Sequence, residues 1–190
     1  MKMRPFKYFA GTLCVLCLST SVTAMSVLPG CAAKRAEDVI RTPRSGVYLA
    51  DKVVVKKSQR RLYLMRDGKP FRTYRISLGT SPVGHKQRVG DNKTPEGRYL
   101  IDWRNSRSNF TKALHISYPN YDDSLKARRA GWDPGGSIMI HGEPRSQRNS
   151  DLRYLVDGAD WTKGCIAVSN LAIDEIWRYT LDGTPIEIFP

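Results

Sequence analysis

The feature that most restricts the fold is a series of short apolar segments separated by turn residues. Apolar or β-branched residues cluster at Val53–Val55, Leu62–Met65 and Phe71–Leu78. The break between the second and third clusters contains Asp67 and Gly68, a pair that tolerates the positive φ of a two-residue hairpin turn. We therefore predict three antiparallel strands at the start of the folded domain.

The middle of the chain continues this β-rich pattern. The stretch from Gly79 to Pro95 is so rich in Gly, Pro, Asn and Asp that it predicts an exposed loop. The turn "TPEG", residues 94–97, follows at the end of this stretch and is typical of scaffold. Further strands are predicted at "RYLIDWR", at "ALHISYPN" and at "PGGSIMIH", which ends at His141. The segment "YDDSLKARRAG" is compatible with a short helix or with a loop.

A helix is predicted near the C-terminal end, over Asn170–Thr180. Its apolar residues Ile173, Ile176 and Trp177 fall on one face, and Ser169 or Asn170 is suited to cap it. The final segment "DGTPIEIFP" predicts a turn and an edge strand. Together these elements predict a mostly β fold with one or two short helices.

The first thirty residues have the pattern of an export signal. Three cations in "MKMRPFK" precede an uncharged stretch, Tyr8–Leu28. Cleavage is expected after Ala24, or at the "LPGC" segment before Cys31, which is similar to a lipobox except for Pro29. A retained membrane anchor is the remaining alternative. We assign residues 1–30 to the leader, 31–46 to a flexible tether and 47–190 to the folded domain, which we expect in the periplasm or cell envelope.

Charge and cysteine content limit the classes of partner. The chain carries 31 Lys and Arg against 18 Asp and Glu, a net charge of +13. The basic residues are scattered, and export makes nucleic acid a poor candidate partner. An anionic envelope polymer, lipid headgroups or plain solvent would each suit such a surface.

Cys165 has no obvious disulfide partner in an oxidising compartment, so a reactive thiol is favoured over an inert one.

Two residues carry the candidate chemistry. Cys165 follows Gly164, where the backbone is free to bend and present amide N–H groups, and Lys163 adds a charge that favours a thiolate. Among the three histidines, His141 at a strand end is better placed as a base than His85 in the loop or His115 within a strand.

Each of these features also has a simpler explanation. A histidine at a strand end is more often a surface residue, and a buried cysteine is often inert. One cysteine and three scattered histidines show no zinc-ligand spacing, so no metal site is predicted. Tyr118, Trp132 and Trp161 are as compatible with a core as with a substrate groove.

Several motifs, in order, resemble the L,D-transpeptidase (YkuD-like) catalytic domain family. They are "GDNKTPEGRYLI", "ALHISYPN", "GWDPGGSIMIHG" and "DWTKGCIAVSN", and the resemblance spans roughly Lys52 to Pro190. It implies a compact, β-sandwich-like sheet domain in which Cys165 is the nucleophile and His141 moves protons, with no cofactor. Thr162 and Gly164 agree with the family's usual Ser/Thr-His-Gly-Cys signature, whereas Lys163 replaces its second histidine.

The resemblance also implies a substrate and a reaction. A Cys165 thioester would form on a peptidoglycan stem peptide and be taken by an amine of another stem, by a lipoprotein lysine or by water. The first two outcomes are transpeptidation, giving 3-3 cross-links or attachment of an outer-membrane lipoprotein, and the last is L,D-carboxypeptidase or peptidase activity. The "DWTxGCIAV" pattern indicates a divergent branch, so a peptidase that releases such a lipoprotein stays open. A non-catalytic envelope-binding lipoprotein, anchored by lipid at Cys31, is the other alternative.

Overall fold

The computed structural model describes residues 48–145 and 159–190, and the predicted leader and tether lie outside them. The strands are β1 (Lys52–Lys56), β2 (Arg61–Arg66), β3 (Lys69–Arg75), β4 (Gly97–Asn105), β5 (Ala113–Ile116), β6 (Met139–His141), β7 (Ile166–Ala167) and β8 (Thr184–Phe189). The helices are α1 (Tyr121–Arg129) and α2 (Asn170–Tyr179). The strands form one sheet in the order β3-β2-β1-β8-β4-β5-β6-β7. None of the helices in the described ranges is both long and apolar enough to cross a membrane.

The three predicted opening strands are confirmed. β1 pairs antiparallel with β2, and β2 pairs antiparallel with β3. The turn between β2 and β3 has Asp67 at φ +50° and Gly68 at φ +74°, as the Asp-Gly pair predicts. The regular part of β3 ends at Arg75, three residues before the predicted end at Leu78.

The prediction that the last strand lies at an edge is wrong. β8 lies between β1 and β4, parallel to β1 and antiparallel to β4. Its residues Thr184, Ile186 and Ile188 are buried, while Pro185, which cannot donate a backbone hydrogen bond, is the second residue of the strand. Alternation along a strand predicts which face is buried, but its neighbours are set by long-range pairing.

Both helices have identifiable N-terminal caps. The segment "YDDSLKARRAG", which the sequence leaves open between a helix and a loop, contains helix α1. Asn120 and Asp123 form a reciprocal capping box at the start of this helix. The predicted C-terminal helix is confirmed as α2, and its cap is Ser169, whose hydroxyl oxygen accepts a hydrogen bond from the N–H of Ala172.

The sheet curls until its two ends meet. Ser77, just after edge strand β3, forms an antiparallel bridge with Ala167 of the opposite edge strand β7. The enclosed apolar side chains form one core that includes Leu64, Ile140 and Ile176. The predicted mostly β fold with one or two short helices is therefore confirmed, with the sandwich-like form produced by one curled sheet.

The glycine-rich segment 79–95 is irregular, as predicted, but only part of it is exposed. Lys86 and Thr94 are buried within it. The ammonium of Lys57 donates hydrogen bonds to the carbonyl oxygens of Gly84 (2.7 Å) and Thr94 (3.0 Å) and to Oε1 of Glu96 (2.8 Å). These three bonds use every donor of that lysine, so the loop is fixed to the end of β1.

Candidate active site

His141 and Cys165 are brought together by the parallel pairing of β6 with β7. His141 is the register partner of Ala167, and Ile140 is that of Ile166. Extending this register by one residue sets Cys165 beside Met139. Because alternate residues of a strand point to the same face, Cys165 and His141 share one face of this strand pair, although 24 positions separate them in the chain.

The hydrogen bond that His141 makes defines its tautomer. Nδ1 lies 2.7 Å from the carbonyl oxygen of Gly142. A carbonyl oxygen only accepts, so Nδ1 carries the proton and donates, which leaves Nε2 of the neutral ring as a proton acceptor. Burial lowers the pKa of His141 below its usual value, while the hydrogen bond to Gly142 opposes that shift. The uncharged, basic form of the imidazole is therefore favoured.

Aromatic rings hold this imidazole in place. The ring of Phe110 packs 4.4 Å from that of His141, and Trp161 packs edge-on at 5.7 Å, centroid to centroid. The sequence does not distinguish Trp161 from a core aromatic, and it does not single out Phe110 at all. The segment "RNSRSNFTK" around Phe110 contains no motif that points to the site.

The thiol of Cys165 is partly buried and has polar neighbours. Its Sγ lies 3.7 Å from the carbonyl oxygen of Ser137, to which it donates. Burial raises the pKa of the Cys165 thiol above its usual range, whereas the N–H of Met139 and the positive charge of Lys86 act to lower it. Together with the neutral His141, this favours an uncharged thiol and imidazole at rest over a preformed ion pair.

A tight turn precedes the cysteine and explains the roles of two predicted supporting residues. The hydroxyl of Thr162 donates to the carbonyl oxygen of Cys165 (2.7 Å) and accepts from the N–H of Gly164 (3.1 Å). Gly164 has φ +124°, a conformation that residues with a β-carbon rarely adopt. Because the N–H of Gly164 already donates to the hydroxyl of Thr162, it is not available to an oxyanion.

Lys163, the third predicted supporting residue, is exposed. The cation whose charge lowers the pKa of Cys165 is instead Lys86, in the glycine-rich loop. Sequence reasoning missed Lys86 because it lies 79 positions before the cysteine and no local spacing connects the two.

The two other histidines have partners of their own. Nε2 of His85 lies 3.1 Å from Oδ1 of Asp123. His115 stacks on Trp103 at 4.6 Å, and its Nδ1 lies 2.6 Å from Oδ1 of Asp102. In the described parts of the chain, no group of three or more His, Cys, Asp or Glu side chains is arranged to hold a metal ion.

Comparison with known proteins identifies relatives of this domain. The family model described as the L,D-transpeptidase catalytic domain (YkuD) matches residues 50–188. A protein of Escherichia coli (strain K12) that bears the name "Putative L,D-transpeptidase YafK" is 33% identical over 109 residues, covering 56% of this chain and 36% of that protein.

Two solved structures share the fold. The helical cell shape determining protein Pgp2 of Campylobacter jejuni superposes with a TM-score of 0.54 and 27% identity, over 72% of this chain and 46% of that chain. Bd1075 of Bdellovibrio bacteriovorus has a TM-score of 0.50 and 27% identity, over 74% of this chain and 48% of that chain. This chain thus spans about a third of its curated relative and about half of each solved structure.

Proposed function

The chain belongs to the L,D-transpeptidase catalytic domain family, and from that premise we propose that it is an exported cysteine acyltransferase acting on peptidoglycan stem peptides. The observation that carries the proposal is that His141, in β6, and Cys165, just before β7, lie on the same face of this strand pair. Nε2 of His141 is the ring nitrogen that is able to accept a proton. A nucleophile next to a base that is itself oriented by a third group is the general requirement of covalent acyl transfer.

In the first half of the reaction, Nε2 of His141 accepts the proton of the Cys165 thiol. The thiolate attacks the carbonyl carbon of the third stem residue, a diaminopimelate in most Gram-negative walls. The tetrahedral intermediate collapses as the imidazolium returns the proton to the departing amine of the terminal D-alanine. A thioester on Cys165 and a neutral His141 remain. The hydrogen bond to Gly142 keeps the ring oriented throughout.

In the second half, an acceptor attacks the thioester and gives its proton to His141, which passes it to the departing thiol. An amine on another stem gives a cross-link, a lipoprotein lysine gives an attached lipoprotein, and water gives the carboxylic acid. If the enzyme instead acts as a peptidase, the bond first attacked is the lipoprotein link. The N–H of Cys165 is the backbone donor of this turn that we assign to the oxyanion, because the Gly164 N–H is used by Thr162.

The proposal is tested with purified protein and two substrates, tetrapeptide-containing muropeptides and lipoprotein-linked muropeptides, with products read by mass spectrometry. We expect products that disappear in Cys165→Ala and that fall to a small residual amount in His141→Gln. His115→Gln is the matched control, because that histidine lies on the same strand face, as the register partner of Met139, but its ring pairs with Asp102 and stacks on Trp103.

The products also identify the acceptor. Dimers would establish a transpeptidase, and a shortened stem or a released lipoprotein would establish the hydrolytic reaction. The same product pattern from wild type and from Cys165→Ala would refute cysteine catalysis and favour a non-catalytic envelope-binding protein.

A further inference from the structure

Lys86 is a buried cation with unusual surroundings. Its side chain is only 4% exposed, and its ammonium donates to Oδ1 of Asp91 (2.9 Å) and to the carbonyl oxygen of Arg88 (3.0 Å). An ammonium has three N–H donors. Among the described residues, two of the three are used, so one donor of this buried cation is left without a protein acceptor.

A comparison with Lys57 shows why this matters. Lys57 is equally buried, at 3% of its side chain, but all three of its donors are taken by Gly84, Thr94 and Glu96. Such a lysine is fully explained by its structural role. Burying a charge is costly unless it is paired and hydrogen-bonded. Asp91 pairs with the charge of Lys86, and the donor that no described residue takes leaves this ammonium able to interact with a further negative group.

Asp91 fixes the position of the Lys86 ammonium. Burial alone would raise the pKa of Asp91, but hydrogen bonds from the N–H groups of Gln87, Arg88 and Lys93 and from the Lys86 ammonium lower it to about 2. The carboxylate therefore stays charged across the physiological range. It ties both ends of the loop segment 86–93 together around the lysine.

This loop segment packs against the residue that precedes the cysteine. The carbonyl oxygen of Lys93 lies 2.6 Å from the position a β-carbon on Gly164 would occupy. Asp91 Oδ1 in turn accepts from the N–H of Lys93 at 3.1 Å. The buried ion pair and the cysteine turn thus form one continuous packed unit. The positive charge of Lys86 is felt at the thiol, where it opposes the effect of burial on the pKa of Cys165.

We propose that Lys86, oriented by Asp91, is a positioning residue whose ammonium stabilises the thiolate of Cys165. This inference rests on the proposed role of Cys165 as the nucleophile. It assigns to a residue of the distant loop the cationic role that the sequence assigns to Lys163, which is exposed. Among the described residues, the titratable and charged groups of this region are Lys86, Arg88, Asp91 and Lys93 of the loop, Tyr118, whose hydroxyl lies 3.4 Å from the carbonyl oxygen of Lys86, His141 at the end of β6, and Lys163 of the cysteine turn.

The test is the pH dependence of alkylation of Cys165 by iodoacetamide in the full chain, read by mass spectrometry of the peptide that contains Cys165. Only the thiolate reacts, so the midpoint of the rate against pH reports the ionisation of the thiol without any substrate. Lys86→Met and Lys86→Gln remove the charge, Lys86→Arg keeps it, and Lys163→Met is the matched control at the exposed lysine.

We expect both neutral variants to raise the midpoint by about one pH unit, which lowers the alkylation rate at pH 7 about tenfold. Lys86→Arg and Lys163→Met should keep a midpoint near that of wild type. An unchanged midpoint in folded Lys86→Met or Lys86→Gln would overturn the proposal. Neutral variants that melt below the assay temperature would also count against it, because Lys86 would then be a structural ion pair like Lys57.

The alkylation result is independent of the proposed function. A wild-type chain that forms no product from muropeptides, but whose thiol midpoint rises in Lys86→Met, would contradict the acyl-transfer proposal and retain the role of Lys86. A chain that turns over muropeptides, but whose thiol midpoint does not change in Lys86→Met, would retain the acyl-transfer proposal and overturn the role of Lys86.

Discussion

The carbonyl oxygen of Lys93 lies 2.6 Å from the position that a β-carbon on Gly164 would occupy, and Gly164 itself has φ +124°. The glycine-rich loop therefore closes directly onto the residue before Cys165. Any side chain at position 164 would both strain the backbone and push this loop away from the cysteine.

We predict that Gly164→Ala lowers the free energy of unfolding by about 3 kcal/mol or more, since a positive φ and a backbone clash act together. Gly183→Ala is the matched control, because Gly183 has φ +90° but no atom lies within 4 Å of the position that its β-carbon would occupy. That control should lose only about 1 kcal/mol. Urea unfolding of both variants measures the difference, and equal losses would contradict the importance of the Lys93 contact.

Thr162 should matter through its hydroxyl. Thr162→Val keeps the shape of the side chain but leaves the buried N–H of Gly164 and the carbonyl of Cys165 without this partner. An unsatisfied buried polar group costs about 1–3 kcal/mol, and we expect a loss of that size in urea unfolding. Thr162→Ser keeps the hydroxyl and should retain most of the stability. If the two variants are equally stable, the hydroxyl does not hold the turn.

Lys57 should be important for stability rather than for thiol ionisation. Burial lowers the pKa of Lys57, and its pairing with Glu96 opposes that shift. Lys57→Met leaves Glu96 and two loop carbonyls without their shared donor, and breaking a buried pair in this way costs about 3–5 kcal/mol. Lys52→Met, at a more exposed lysine that pairs with Glu187 at 3.1 Å, should cost less than about 1 kcal/mol. Similar melting temperatures for the two variants would disprove the distinction.

The pH dependence of turnover should report His141. Burial lowers the pKa of this imidazole below its usual value of 6.5. In the proposed mechanism Nε2 of His141 accepts the thiol proton, and protonation of the ring removes the lone pair that does so. The value of kcat/KM should therefore fall as the pH drops through a midpoint below 6.5. His141→Gln should remove this acidic limb and lower kcat/KM by about 10²–10⁴-fold. His115→Gln should keep this fall of kcat/KM at acidic pH. A fall whose midpoint lies above 6.5 would exclude a buried neutral His141 as its source.

The same shift affects stability. Because the pKa of His141 is lower in the folded state than in the unfolded chain, the unfolded chain binds more protons between the two pKa values. The free energy of unfolding should therefore fall as the pH decreases from 6.5 towards the folded pKa. Urea unfolding at a series of pH values checks this fall, which His141→Gln should reduce. An identical pH dependence in both proteins would refute the contribution of His141.

Local sequence determined the elements whose cause is local. The hairpin at Asp67 and Gly68 follows from two residues that tolerate positive φ. The C-terminal helix follows from apolar residues on one face, with Ser169 as its cap. The ordered motifs around His141 and Cys165 were enough to identify the family, because their order is specific to it.

Tertiary structure alone decided which distant segments meet. Strand β8 alternates in burial as an edge strand would, yet it pairs on both sides, because burial of a face carries no information about hydrogen-bonded neighbours. Likewise, Lys86 has no feature in the sequence that sets it apart from other loop lysines, whereas Lys163 lies two residues before Cys165. In the folded domain Lys86 is buried and its charge acts on the thiol of Cys165, whereas Lys163 is exposed. Electrostatic effects depend on distance and burial in space, which the order of residues along the chain does not specify.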